Sequence, residues 1–150
     1  VAVRRVLNRA ESLGIDPRRL RYASNEDVPR YLARFRLADL FLDTYPFGSH
    51  TTVNDALSAG LPVLTQAGRT FASRASASQV IAAGLPELAA ASLEEYADTA
   101  IALGLDRPRL RESSLRVRAN RSLKPFFDPD AYARAFEAAI ERAWKDTPAG

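Results

Sequence analysis

Leu37-Ala38-Asp39-Leu40-Phe41-Leu42-Asp43-Thr44, then Tyr45-Pro46-Phe47-Gly48-Ser49-His50, then Thr51-Thr52-Val53-Asn54-Asp55-Ala56-Leu57-Ser58-Ala59-Gly60, reads as strand, loop and helix. The run from Ala38 to Leu42 is strongly apolar and short, as for a strand covered on both faces. Pro46 and Gly48 punctuate the loop. Apolar Val53, Ala56 and Leu57 follow at helical spacing, and Gly60 stops the helix after Ala59.

Downstream the pattern repeats in kind. Leu61-Pro62-Val63-Leu64-Thr65 predicts a strand, with Pro62 tolerated near its start. Gln66 to Arg69 is a loop, and Phe71 to Ala83 a helix closed by Gly84. Leu85 to Ala91 has room for one more short strand. Ser92-Leu93-Glu94-Glu95 is a capping-box start for a helix through Leu103. Asp106-Arg107-Pro108 opens a helix to about Ser122, and Asp128-Pro129 opens the last one. Along that last helix Tyr132, Phe136, Ile140 and Trp144 share a face. Trp144 and Phe136 are expected to pack it onto the core, as is Phe126-Phe127 at the junction before it.

Upstream, Val1 to Gly14 predicts a helix with Val3, Val6, Leu7, Ala10 and Leu13 on one face. Leu20-Arg21-Tyr22-Ala23 is a strand candidate. Ser24-Asn25-Glu26-Asp27 starts a helix running through Val28, Tyr31, Leu32 and Phe35. Strands alternating with helices define an α/β fold, a Rossmann-like parallel sheet with flanking helices and a helical C-terminal third. A domain of that kind starts with a strand, and this chain starts with a helix. The expectation is a partial lobe over residues 1–150 whose sheet lacks its first strands.

In open α/β sheets ligands bind beyond the carboxyl ends of the strands, where the loop after Asp43 must lie. The helix that follows presents unpaired N–H groups to an anion. Thr51 and Thr52 add hydroxyls at that end and His50 adds a ring donor. The helix dipole supplies only about 0.3–1 kcal/mol, whereas charge-assisted hydrogen bonds supply about 1.5–3 kcal/mol each. Asp55, three residues past Thr52, reaches the same ligand from the side. A carboxylate repels phosphate, so its use there requires hydroxyl donors such as a ribose diol. Spacing alone also allows a plainer assignment, with Thr51 as helix cap and Asp55 as a first-turn acid.

This combination resembles the C-terminal catalytic lobe of the O-GlcNAc transferases, the family 41 glycosyltransferases, whose bacterial relatives are often called SPINDLY-like. Leu37 to Thr44, Gly48 to Thr52 and Asp55-Ala56-Leu57 carry the resemblance. Gly60 to Thr65, Gly68-Arg69-Thr70-Phe71-Ala72-Ser73-Arg74 and Ser76-Ala77-Ser78-Gln79 continue it, and Gly84 to Leu88 and Glu95-Tyr96 extend it. The resemblance implies the C-terminal lobe of a GT-B fold and a UDP-sugar donor. It also implies transfer, in the intact enzyme, of N-acetylglucosamine to protein Ser or Thr hydroxyls. No cofactor and no metal are implied, the nucleotide sugar being a substrate.

By the same resemblance His50, Thr51 and Thr52 bind the diphosphate and Asp55 the ribose. The family's base-binding His and Arg, three residues apart, fall on Tyr31 and Arg34. The departure at Tyr31 leaves an aromatic face that can still stack on a base. Backbone groups of Ala23 and Asn25 fall where the base edge is contacted. Gly68 and Arg74 are further candidates near the ligand. The family's catalytic base belongs to the other lobe, so no catalytic residue is assigned here. The implied partners are a nucleotide sugar, a protein acceptor, an N-terminal catalytic lobe and a TPR region. An interaction module without catalysis, or a transferase using GDP-fucose or UDP-glucose, accounts for the same motifs.

Whole-chain composition fits these expectations. The chain has 150 residues, 47% hydrophobic and 26% charged, with a formal net charge of +3, ordinary for a globular domain. Its basic residues are almost all Arg, scattered among acids, which argues against a nucleic-acid partner. No apolar run is long enough to cross a membrane, and the charged start does not read as a signal peptide. There is no cysteine, so neither disulfides nor thiolate metal sites are expected. Cytoplasmic residence is the expectation.

Overall fold

Val63-Leu64-Thr65-Gln66 forms β2, the middle strand of a three-stranded parallel sheet with β1 (Phe41–Leu42) and β3 (Ala89–Ala90) on either side. The computed structural model describes residues 2–146. Phe41 pairs with Val63 and Leu42 with Leu64; Thr65 pairs with Ala89 and Gln66 with Ala90. Val63, Leu64 and Thr65 are wholly buried, so the middle strand is covered on both faces, as its unbroken apolar run requires.

Parallel neighbours need crossover connections, and helices supply them. α3 (Thr51–Ser58) joins β1 to β2. α4 (Phe71–Ala82) and a 3₁₀ turn at Pro86–Leu88 join β2 to β3. The core is built from Val53, Ala56 and Leu57 of α3, the middle strand, and Val80, Ala83, Leu85 and Leu88. Leu103 of α5 (Leu93–Leu105) and Leu110 and Val117 of α6 (Arg107–Asn120) complete it. Gly60 and Gly84 stop α3 and α4 with φ of 85° and 88°, a region open to glycine at no steric cost. Behind Gly84, the buried Asn120 Nδ2 donates to Ala83 O at 2.8 Å and ties the end of α4 to the end of α6.

Most expected helix starts hold at the level of atoms. Ser92 Oγ accepts from Glu95 N at 3.1 Å, but the Glu95 carboxylate takes the Ala91 N–H rather than that of Ser92. The box is therefore closed one residue early. Asp106 Oδ1 caps α6 through Arg109 N, and Asp128 Oδ1 caps α7 (Pro129–Asp146) through the N–H groups of Asp130 and Ala131.

Two expectations fail. Phe136 and Trp144 are not core: they are 55% and 82% exposed, and α7 buries no residue. Periodicity identifies an apolar face but not what covers it. Phe126 and Phe127 do pack against the core, and their two rings meet edge to face at 4.9 Å. The second failure is the strand at Leu20–Ala23, which is irregular backbone. A strand needs a ladder partner for its N–H and C=O groups, and no described strand pairs with this stretch.

By its internal contacts the chain divides after Tyr31 into two compact units. In the first, α1 (Ala2–Ser12) buries only Ala10, and Asp16 caps the 3₁₀ turn Pro17–Arg19 through Arg18 N. The helix start before Val28 is made by Asp27, whose Oδ1 accepts from Arg30 N at 3.0 Å. α2 spans Val28–Arg34. Val1 and residues 147–150 lie outside the described residues. No described helix is long and apolar enough to cross a membrane.

Candidate functional site

The loop between β1 and α3 is held from three sides. Asp43, 6% exposed, is the first residue past β1. Its Oδ1 accepts from Ser49 N at 2.9 Å and its Oδ2 from Thr65 Oγ1, on β2, at 2.8 Å. Tyr96 of α5 donates its hydroxyl to Asp43 O at 2.9 Å. Burial pushes the Asp43 carboxyl up, but the hydroxyls of Ser49, Thr65 and Ser76 and the Ser49 N–H outweigh it. The carboxyl is held below the usual aspartate range and is ionised at neutral pH. Burial, followed by the Asp43 charge, pushes the Tyr96 hydroxyl up, so it stays protonated and donating.

The far end of the loop is fixed to α4. Gly48 N and His50 Nε2 both donate to Ala72 O, each at 3.0 Å. A Cβ on Gly48 would run into Ser76 Oγ and sit 3.2 Å from Asp43 Oδ2, so the backbone reaches α4 only because that residue is glycine. The His50 ring stacks on Phe47 at 5.1 Å and meets Phe71 edge-on at 5.9 Å.

His50 is the N-cap of α3, with φ 34° and ψ −91° and no side-chain capping bond. A positive φ is costly for a residue with a side chain, of order 1–3 kcal/mol, and clusters at functional sites. The contacts at Ala72, Phe47 and Phe71 hold it there. They also define its chemistry: the carbonyl of Ala72 takes the Nε2–H, so a neutral ring has no N–H left for a ligand. Donation to an anion from His50 then requires the imidazolium, through Nδ1.

The plainer assignment for Thr51 fails, because His50 and not Thr51 occupies the cap position. Thr52 N is used on Ser49 O at 2.8 Å. The hydroxyls of Thr51 and Thr52 have no hydrogen-bond partner among the described residues. Thr51 is exposed and Thr52 half-buried, both in the first turn of α3. Asp55 is half-buried, one turn behind Thr51 on the same helix, where residues three and four apart share a face.

Ala23, Asn25 and Tyr31 belong to the first unit, the first two in irregular exposed backbone and Tyr31 half-buried on α2. Arg34, half-buried, ends α2. Gly68 is needed for a close approach to α4: its N–H donates to Ser73 O at 2.8 Å, and a Cβ there would strike the Ser73 side chain. Arg74 is exposed on α4 and lines a cavity that does not include His50, Thr51 or Thr52.

Sequence reasoning passed over Asp43, Thr65, Ala72 and Tyr96. Asp43 carried a usable signal, a lone carboxylate directly after an apolar strand at the sheet's ligand-binding edge. Ala72 carried none, because it contributes only a carbonyl.

A sheet of this order, with a braced loop and a helix start at its carboxyl edge, defines a Rossmann-like lobe, and comparison with known proteins places it. The family model for glycosyl transferase family 41 matches residues 2–136. The chain belongs to glycosyl transferase family 41. It is 34% identical over 137 residues to the UDP-N-acetylglucosamine–peptide N-acetylglucosaminyltransferase of Caenorhabditis elegans, covering 91% of this chain and 12% of that protein. An Arabidopsis thaliana protein, named as a probable enzyme of the same kind (SEC), is 32% identical over 90% of this chain and 14% of its own length. Among solved structures, a mutant of the Thermobaculum terrenum O-GlcNAc transferase superposes with a TM-score of 0.84 at 33% identity. It covers 96% of this chain and 28% of that one. The fold is therefore that of part of a GT-B O-GlcNAc transferase, and the chain spans about an eighth of the curated relatives' length.

Proposed function

We propose that this chain is the nucleotide-sugar-binding lobe of a UDP-GlcNAc-dependent transferase acting on protein Ser or Thr hydroxyls, with the diphosphate seated at the start of α3. One observation carries the reading: the Thr51 and Thr52 hydroxyls stand without a hydrogen-bond partner among the described residues, at a helix N-terminus on the sheet's carboxyl edge. Together with the helix end they form a donor set without an acceptor, which an anion completes. Asp55, one turn on, faces the ribose diol. Arg34, in the same unit as α3, serves the base. Gly68 lets the loop before α4 close up.

During transfer the acceptor oxygen bonds to the anomeric carbon as the bond to the β-phosphate oxygen breaks. UDP leaves with that electron pair, so negative charge grows on the β-phosphate. Donors fixed in advance at that position stabilise the charge without reorganising. Because the charge is larger in the transition state than in the bound donor, they speed the reaction as well as binding the substrate. His50 contributes a donor from Nδ1 only when it is protonated, and does not act as the base. The catalytic base and most of the sugar pocket come from a second lobe, and a TPR region selects the protein acceptor, in a cytoplasmic enzyme.

Calorimetric titration of the chain with UDP, uridine, GDP and UDP-GlcNAc tests this reading. UDP is expected to bind weakly but at least about tenfold more tightly than uridine, one charge-assisted contact being worth about 1.5–3 kcal/mol. Equal affinities for UDP and uridine would remove the diphosphate from the site. Tighter binding of GDP than UDP would move the donor to a guanosine sugar.

A further inference from the structure

A hydrogen-bonded path runs from α5 through the β1–α3 loop to the start of α3. Tyr96 Oη donates to Asp43 O at 2.9 Å. The carboxylate of Asp43 accepts from Ser49 N at 2.9 Å. Ser49 O in turn accepts from Thr52 N at 2.8 Å. Within the loop, Thr44 Oγ1 donates to Phe47 O at 2.7 Å and closes the turn between Asp43 and Gly48. The outer anchor of this path is firm, because the half-buried Tyr96 ring packs against the hydrophobic core. Asp43 N, for its part, donates to Leu64 O at 2.9 Å and carries the ladder onto β2. The span between these anchors and Thr52 contains His50 with its φ of 34°. Such a conformation persists only where the surroundings over-determine it.

We propose that Tyr96 is a positioning residue for the diphosphate site: its hydroxyl holds the Asp43 carbonyl so that the loop delivers Thr51 and Thr52 in one fixed arrangement. The role rests on the diphosphate reading of that site. Tyr96 acts through the loop and not on the ligand. Donors fixed in advance need no reorganisation when an anion arrives, whereas a loosened loop has to be ordered on binding, which weakens affinity. The effect belongs to the phosphates alone. Arg34, which serves the base, ends α2 and lies outside this loop.

Tyr96→Phe keeps the ring in place and removes only the hydroxyl. NMR relaxation of the ligand-free chain reads the tie itself. The amides of Ser49, His50, Thr51 and Thr52 are expected to gain motion in the variant, while those of Leu64 and Val80 in the core relax as in the parent. Calorimetry reads the consequence. UDP affinity is expected to fall by about three- to tenfold, as for the loss of one neutral hydrogen bond, with uridine affinity unchanged. A general loss of stability would not separate the two ligands. Unchanged relaxation at the four loop amides, unchanged UDP affinity, or an equal loss for UDP and uridine would each overturn the role. A parent chain that does not bind UDP, with the loop amides responding as expected, would contradict the diphosphate reading and not the hold of Tyr96 on the loop.

Discussion

Thr51→Val with Thr52→Val is expected to lower UDP affinity by two orders of magnitude or more while leaving the fold intact. Valine keeps the branched shape of threonine and removes only the hydroxyl. Neither hydroxyl bonds to another described residue, and Thr51 is exposed, so folding loses little. Two charge-assisted hydrogen bonds at about 1.5–3 kcal/mol each amount to roughly 3–6 kcal/mol of lost binding, and about 1.4 kcal/mol is tenfold. Calorimetry reads the affinity, and a thermal melt within a few degrees of the parent confirms that the loss is local. Unchanged UDP affinity in the double variant would show that these hydroxyls serve the protein rather than a ligand.

Asp43→Ala is expected to have the largest effect on stability, together with a loss of UDP binding. It strands the buried Thr65 hydroxyl and the Ser49 N–H, both of which donate to this carboxylate. A stranded buried hydroxyl, a stranded half-buried N–H and a lost charged acceptor together cost on the order of 3 kcal/mol. For a chain of this size that lowers the melting temperature by roughly 6–12 °C. The pH dependence has a definite sign. The folded carboxyl titrates below its unfolded value, so the native state binds fewer protons there. Its stabilisation is fully present above the unfolded aspartate value, about pH 4, and is lost as pH falls through the lower folded value. Parent and variant melts are therefore expected to converge on acidification. A constant gap down to acid pH would mean that the Asp43 charge contributes nothing.

Much of this site was legible in the sequence because it rests on local signals. The apolar run before Asp43, the loop glycine and the Thr-Thr pair ahead of a helical period place a helix start at a sheet edge without tertiary information. Gly60 and Gly84 mark helix ends for the same reason. What escaped depends on distant contacts. Ala72 matters through one carbonyl that accepts from Gly48 and His50, and alanine gives no sign of that. Tyr96 reaches Asp43 from 53 positions away. The apolar face of α7 was readable, but its exposure was not, because periodicity does not say whether a partner surface exists. The strand expected at Leu20–Ala23 failed on the same point: strand propensity needs a neighbour to become a strand.

The central claim is that a diphosphate docks where the chain turns from β1 into α3. Amide chemical shifts followed by NMR as UDP is added test it most directly. Saturable shifts concentrated at Ser49, His50, Thr51 and Thr52, reproduced by pyrophosphate and not by uridine, are the predicted result. Shifts that leave these four amides unmoved, while another part of the chain responds to UDP, would contradict it.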